Sequence, residues 1–138
     1  MDSMLVEHAQ ILIQRATDKV RSDFGRPISI AICDANGFLT AFSRMDGAPV
    51  RTIQIAIGKA YTAIRMGTST DAFLARLRAE EVEISNFCDP LLTALPGGAL
   101  LKNPDGMVLA SVGISGLSPK DDQSFADYVA DWAHIGKP

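Results

Sequence analysis

The residues best suited to chemistry lie between positions 38 and 59, and Lys59 is the sharpest candidate among them. It is the only charged residue between Thr52 and Ile64, in a stretch rich in isoleucine and alanine. A lysine in such surroundings either extends its ammonium to solvent or lies beside a pocket. In a pocket, burial lowers its pKa and suits it to bind an anion or to act as a base. The sequence leaves both interpretations open.

Three more charged residues precede this apolar stretch. Arg44, Asp46 and Arg51 surround the corner between an alternating apolar run and the stretch that contains Lys59. An arginine at such a corner can hold a carboxylate through two parallel hydrogen bonds, assisted by the positive end of a following helix. The alternative is that Arg44 and Asp46 pair with each other or cap the corner. We therefore predict Lys59, Arg44 and Asp46 as catalytic residues and Arg51 as a ligand-binding residue.

The remaining motifs are weaker. Gly97-Gly98 could bring backbone amides close to a ligand, and we include both as ligand-binding candidates, although a plain turn explains a glycine pair equally well. His8 and His134 have no second histidine at ligand spacing and no cluster of cysteines beside them, so no metal site is expected. Sequence signatures of nucleotide loops and of serine or zinc hydrolases are absent.

Helices and hairpins must position these residues. Apolar residues spaced three or four apart predict helices, and the helix over 52–66 carries Lys59. The predicted limits are a first helix from a cap at Asp2 or Ser3 to about Gly25, a second from Thr52 to about Met66, a shorter third from Thr70, and a last one from Ser118-Pro119. The segment from 84 to 96 has no clean period and is expected to be irregular.

Two turn sequences predict hairpins. Asn36-Gly37 separates two runs that alternate with period two, and this pair readily adopts the positive φ angles of a tight turn. Asn103-Pro104-Asp105-Gly106 has the composition of a type I turn and joins the runs 99–102 and 107–115. Hairpins make an antiparallel sheet. We therefore expect one α+β domain over residues 1–138, with an antiparallel sheet of about five strands flanked by helices.

The overall composition limits which classes of binding partner are expected. The 138 residues are 47% hydrophobic and 21% charged with a net charge of −3, so neither a basic face for nucleic acid nor a polybasic membrane anchor is expected. Cys33 and Cys88 are isolated, which predicts reduced and mostly buried thiols. Glu7, His8 and Gln10 stand where a signal peptide would have its apolar core, so we expect a cytoplasmic protein.

The segments around these candidates resemble one known family. Residues 41–48 read AFSRMDGA and residues 55–60 read IAIGKA, and PGG at 96–98 and VGISG at 112–116 follow in the same order. Together they resemble the GlcG/HbpS-like haem-degrading domain family, which includes the C-terminal domain of PduO-type adenosyltransferases. The resemblance implies an antiparallel sheet flanked by helices, and a homo-oligomer with ligand pockets near the subunit contacts. It implies no uniform function, since some members bind haem and others accompany catabolic genes for small acids or diols.

One position departs from the family's pattern. Many relatives have histidine directly after the hairpin glycine, whereas this chain has Phe38. The resemblance therefore implies that a haem or metal contact is replaced by an apolar wall. Haem becomes a weaker expectation as cofactor, and Phe38 is predicted to contact an aromatic or apolar small ligand.

Three functions remain open from the sequence. The first is a small catabolic enzyme that acts on a small carboxylate, aromatic ones included, by proton transfer as an isomerase, tautomerase or lyase. In it Arg44 holds the carboxylate, Lys59 acts as acid or base, and Asp46 orients one of them. The second is a non-catalytic protein that binds haem or another small metabolite. The third is an oligomeric scaffold in which the apolar helix over 52–64 is an interface.

Overall fold

An antiparallel sheet built from the predicted hairpins lies at the centre of the protein. The computed structural model describes residues 4–135, without the side chains of residues 133–135. Within that range the strands are β1 (Ser29–Asp34), β2 (Leu39–Arg44), β3 (Gly98–Lys102) and β4 (Val108–Ser115). Their order across the sheet is β2-β1-β4-β3, and all neighbours are antiparallel. The expected antiparallel α+β fold is confirmed, with four strands in the described range.

Helices cover both faces of the sheet. They are α1 (Val6–Asp23), α2 (Thr52–Met66), α3 (Thr70–Glu80) and α4 (Pro119–Ile135), and a 3₁₀ turn spans Ile84–Phe87. Alternate residues of β1 and β4 such as Ile30, Ile32 and Ile114 point into the main core with α1 and α4. The residues between them face α2, where Ala31 and Ala56 belong to a second, smaller core. The protein is therefore a three-layer sandwich of helices, sheet and helices.

The predicted hairpin turn forms as its sequence indicates. Asp34 Oδ1 accepts hydrogen bonds from the backbone N–H groups of Asn36 and Phe38, at 2.9 and 3.0 Å. Gly37 has a φ of +94°, a conformation that favours glycine. The register shifts between Ile32 and Cys33, so the turn is joined to the ladder by a bulge.

Two local predictions have different outcomes. The helix α1 begins at Val6 with Leu5 at its N-cap, and the predicted caps Asp2 and Ser3 lie outside the described residues. The expectation of buried thiols is confirmed for Cys33 and is wrong for Cys88, which is exposed. The physical reason is that Cys88 directly follows the 3₁₀ turn, in a surface segment with little regular structure.

Candidate functional site

Lys59 is buried, and its ammonium is held inside the protein. The residue is 2% exposed and lies on the face of α2 that packs against the sheet. Its Nζ donates a hydrogen bond to the carbonyl oxygen of Ile114 at 2.8 Å and forms an ion pair with Asp122 Oδ2 at 3.0 Å. Lys59 therefore does not extend to solvent, which resolves the alternative that its sequence surroundings left open.

Asp122 is the carboxylate of this pair and comes from the first turn of α4. It is 3% exposed, and its Oδ1 accepts a hydrogen bond from the Leu117 N–H at 3.0 Å. The backbone amide of Gly116 also lowers the pKa of this carboxyl group. These amides, the positive end of the helix dipole and Lys59 all favour the charged carboxylate, whereas burial opposes it.

Burial shifts both pKa values of the pair toward each other. Loss of solvation lowers the pKa of the Lys59 ammonium, and the neighbouring Asp122 charge opposes that shift. Loss of solvation also raises the pKa of Asp122, against the effect of Lys59 and the two amides. Moving the proton from Lys59 to Asp122 therefore costs less free energy than the same transfer between free side chains in water.

The glycine pair 97–98 makes room for Lys59. A Cβ atom added at Gly97 would lie 2.7 Å from Lys59 Nζ, and one added at Gly98 would lie 2.5 Å from the Lys59 carbonyl oxygen. The two amides have partners within the protein, because the Gly97 N–H donates to Gln123 Oε1 at 2.7 Å and the Gly98 N–H donates to Thr70 Oγ1 at 2.8 Å. The glycines thus fix the position of the lysine, and their N–H groups are already occupied.

A cleft of about 410 Å³ opens beside the ion pair. Lys59, Asp122 and Ser115 form its buried polar part, and the exposed side chains of Arg26 and Arg51 line it nearer to solvent. The apolar and small lining residues are Pro27, Gly47, Pro49, Ile55, Leu95, Gly116, Leu117 and Pro119, and Thr52 completes the lining. Three cationic side chains and one carboxylate thus share a partly apolar cleft.

The structure brings some of the predicted site residues together and leaves others apart. Lys59 and Arg51 both line the cleft, and Gly97 packs against Lys59. Arg44 and Asp46 are exposed and do not line it, because Arg44 ends the edge strand β2 and, in the turn that follows, the cleft is lined by Gly47 rather than by the side chain of Asp46. In the range that the structure describes, no ion pair joins Arg44 to Asp46.

Phe38 lies at a different end of α2 from the cleft. It is 66% exposed, directly after Gly37, which packs against the side chains of Tyr61 and Arg65. The cleft instead involves the first two turns of the helix, at Thr52, Ile55 and Lys59. Phe38 does not line the cleft.

The sequence-based set lacks most of the cleft lining, including Asp122, Arg26 and Ser115, which bring polar side chains to it. Asp122 is 63 positions from Lys59 in the chain, and a helix that starts at proline merely favours some acidic residue in its first turn. Arg26 stands before Pro27 in a connecting segment, and Ser115 ends a strand. None has a local pattern that marks it, and the tertiary fold alone brings them to one place.

Other site types find no support in residues 4–132. No group of three or more His, Cys, Asp or Glu side chains there could hold a metal ion. His8 is half-buried on α1 and does not line the cleft, and the side chain of His134 lies outside the described range. None of the described helices is both long and apolar enough to cross a membrane.

Comparison with known proteins places the whole fold in one family. The sequence model of the haem-degrading HbpS-like family matches residues 5–131. Corrinoid adenosyltransferase PduO from Citrobacter freundii is 31% identical over 103 residues, which cover 73% of this chain and 30% of PduO. The chain thus spans less than a third of that relative.

Two solved structures are similar over nearly the full length. The chain is 25% identical to the protein in a PduOC:heme complex, with a TM-score of 0.80 and 94% of each chain covered. It is 26% identical to an HbpS double mutant from Streptomyces reticuli, with a TM-score of 0.83 and coverage of 95% of this chain and 87% of that one.

Proposed function

The chain belongs to the HbpS-like haem-degrading family, and within it we propose a small catabolic enzyme that transfers a proton on a small carboxylate. The reaction would be that of an isomerase, tautomerase or lyase, and aromatic carboxylates belong to the substrate class. One observation carries the proposal: the Lys59–Asp122 ion pair is almost fully buried, yet both residues line a cleft that two arginines also line.

Charge explains why the ligand is an anion. Arg26, Arg51 and Lys59 bring three positive charges to the cleft and Asp122 brings one negative charge, so the lining is net positive although the chain as a whole is at −3. An arginine binds a carboxylate through two parallel hydrogen bonds, and partial exclusion of water strengthens that contact. The proposal therefore assigns carboxylate binding to Arg51 and Arg26, in place of the role that the sequence suggested for Arg44.

Lys59 and Asp122 supply the proton chemistry. Asp122, the carboxylate in the cleft lining, accepts the proton that the carbon next to the substrate carbonyl loses. The Lys59 ammonium stabilises the negative charge that develops on the carbonyl oxygen, and it can donate its own proton there. The lowered pKa of Lys59 makes that donation easier, and Asp122 keeps the ammonium oriented. Asp46, which the sequence suggested as an orienting residue, is replaced in this role by Asp122.

Hydrogen exchange tests the proposal without knowledge of the natural substrate. Small carboxylates with acidic C–H groups, such as 2-oxobutanoate and phenylpyruvate, are incubated with the protein in D₂O, and loss of the C–H signal is followed by proton NMR. We expect exchange above the background rate with the natural protein and none above background with Lys59→Met. Arg51→Gln should weaken binding, whereas Arg78→Gln, at an exposed position on α3, is the matched control. Undiminished exchange by Lys59→Met would contradict the assignment.

A non-catalytic binding protein is the second candidate, and the PduOC:heme relative favours it. Haem iron in proteins is held by histidine, cysteine, methionine or tyrosine, and the cleft lining contains none of these. Lys59 is already paired with Asp122. The cleft therefore does not fit an axially ligated haem, and a haem-binding function would need another surface of this chain. A titration with haemin checks this: a shifted Soret band that disappears in Lys59→Met would place haem in the cleft, against the proposal.

We also propose that the protein is a cytoplasmic homo-oligomer. Large apolar side chains are exposed at Phe38, Val50 and Leu91, at 66%, 71% and 62%, and contact between subunits would bury them. Sedimentation velocity tests this, with a mass above one subunit as the expected result. A monomer at all concentrations would contradict the oligomer.

A further inference from the structure

Ser115 is a largely buried residue whose hydroxyl borders the cleft without a hydrogen-bond partner among the described residues. It is the last residue of β4, is 5% exposed and lines the cleft. Its side chain lies on the same face of the sheet as two other serines, and both of those are satisfied. Ser29 Oγ is 2.8 Å from Thr52 Oγ1, and Ser111 Oγ donates to the Ala60 carbonyl oxygen at 2.6 Å. Within residues 4–132, Ser115 Oγ makes no hydrogen bond.

The Ser115 hydroxyl is not among the fully enclosed polar atoms that lack a partner, so it is open to the cleft, where water or a ligand can hydrogen-bond to it. A ligand that excludes water from this hydroxyl without offering it an oxygen leaves it unpaired at a cost in free energy, so a ligand that offers an oxygen is favoured. Ser115 also follows Ile114, whose carbonyl oxygen accepts the hydrogen bond from Lys59 Nζ. Ser115 and Lys59 thus line the same part of the cleft.

We propose that Ser115 determines specificity by hydrogen-bonding a hydroxyl or carbonyl oxygen of the ligand. The ligand class is then a small hydroxy- or oxo-carboxylate, with its carboxylate at Arg26 and Arg51 and its second oxygen between Ser115 and Lys59. This inference rests on the proposed function and deepens it. The chemistry agrees, because a carbonyl group acidifies the neighbouring C–H bond and gives Lys59 an oxygen on which charge develops.

A matched pair of acids tests the role of Ser115. Dissociation constants for 2-oxobutanoate and butanoate are measured by calorimetry with the natural protein, with Ser115→Ala and with Ser43→Ala. Ser43 is a half-buried serine on β2 outside the cleft and serves as the control. We expect the natural protein and the Ser43 variant to bind 2-oxobutanoate more tightly than butanoate. In Ser115→Ala the ratio of the two dissociation constants should fall by about tenfold.

The possible results of this titration distinguish the role of Ser115 from the proposed binding of carboxylates. If both acids bind and Ser115→Ala keeps the full preference for the oxo acid, the role of Ser115 is overturned and carboxylate binding stands. If the natural protein binds both acids equally, the hydroxy- or oxo-carboxylate class is overturned. If neither acid binds, the proposed function and this inference fall together. The Ser115 change removes one oxygen atom, and a melting curve verifies that the variant is folded.

Discussion

Removal of the Lys59 ammonium should destabilise the protein far more than removal of an exposed one. Lys59→Met keeps a long unbranched side chain but leaves Asp122 buried without its counter-charge. Breaking a buried pair by removing one partner costs about 3–5 kcal/mol, and the lower end applies because the Leu117 and Gly116 amides still support the carboxylate. For a chain of this size about 3 kcal/mol corresponds to a fall in melting temperature of roughly 12 °C.

The assay is urea unfolding followed by circular dichroism, with two comparisons. Lys19→Met is the matched control, because Lys19 pairs with Asp23 at 3.5 Å on the surface and its loss should cost about 0.5 kcal/mol or less. The double variant Lys59→Met/Asp122→Asn should be no less stable than Lys59→Met, because the second change removes the unpaired charge. Additive losses in the double variant would refute the reasoning that the two residues act as one buried pair.

The stability difference between Lys59→Met and the natural protein should depend on pH. Burial already raises the pKa of Asp122, and removal of Lys59 takes away an influence that lowers it. An acid whose pKa is higher in the folded than in the unfolded state takes up its proton first in the folded state as the pH falls. The stability deficit of Lys59→Met relative to the natural protein should therefore be largest at neutral pH and shrink as the pH falls through the folded pKa of Asp122. A deficit that grows on acidification would refute the argument.

Three further predictions concern the scaffold and the thiols. Gly113→Ala should cost more than about 4 kcal/mol or prevent folding, because a Cβ there would overlap the Ala56 carbonyl oxygen; a normal melting curve would contradict this. Gln123→Leu should lower the free energy of unfolding in urea by about 2–4 kcal/mol, because the buried Gly97 N–H and Gly98 carbonyl oxygen lose their hydrogen-bond partner. A loss below about 0.5 kcal/mol, as at a neutral surface site, would contradict this. An aromatic disulfide reagent should modify Cys88 in the folded protein and spare Cys33, because burial raises the Cys33 pKa to about 12; equal rates would disprove this.

Local sequence patterns predicted the elements of this fold well. Alternation on either side of Asn36-Gly37 and the turn at 103–106 predicted both hairpins, and the predicted helix over 52–66 has the bounds that the structure gives. These features depend on contacts between residues close in sequence. The periodicity and turn chemistry that specify them are therefore visible along the chain.

The site depends on contacts between residues that are far apart in the sequence. Lys59 was recognisable because a lone charge in an apolar helix requires an explanation, but its partner Asp122 comes from the last helix. Arg44 lies in the segment that carries the family resemblance, yet it ends on an edge strand and misses the cleft, while Arg51 lines it. Which of several nearby arginines faces a cleft is decided by the packing of a helix onto a sheet, and that information is tertiary.

The central claim is that the cleft beside Lys59 and Asp122 binds small carboxylates. A crystal grown with 3-bromobenzoate tests it directly, because anomalous scattering locates the bromine without prior assumptions about the site. The account predicts a bromine peak inside the cleft, with the carboxylate of the same molecule within hydrogen-bond distance of Arg51 or Arg26, and the loss of that peak in Arg51→Gln. A bromine peak at the Phe38 hairpin turn, or an empty cleft at saturating ligand, would contradict the claim.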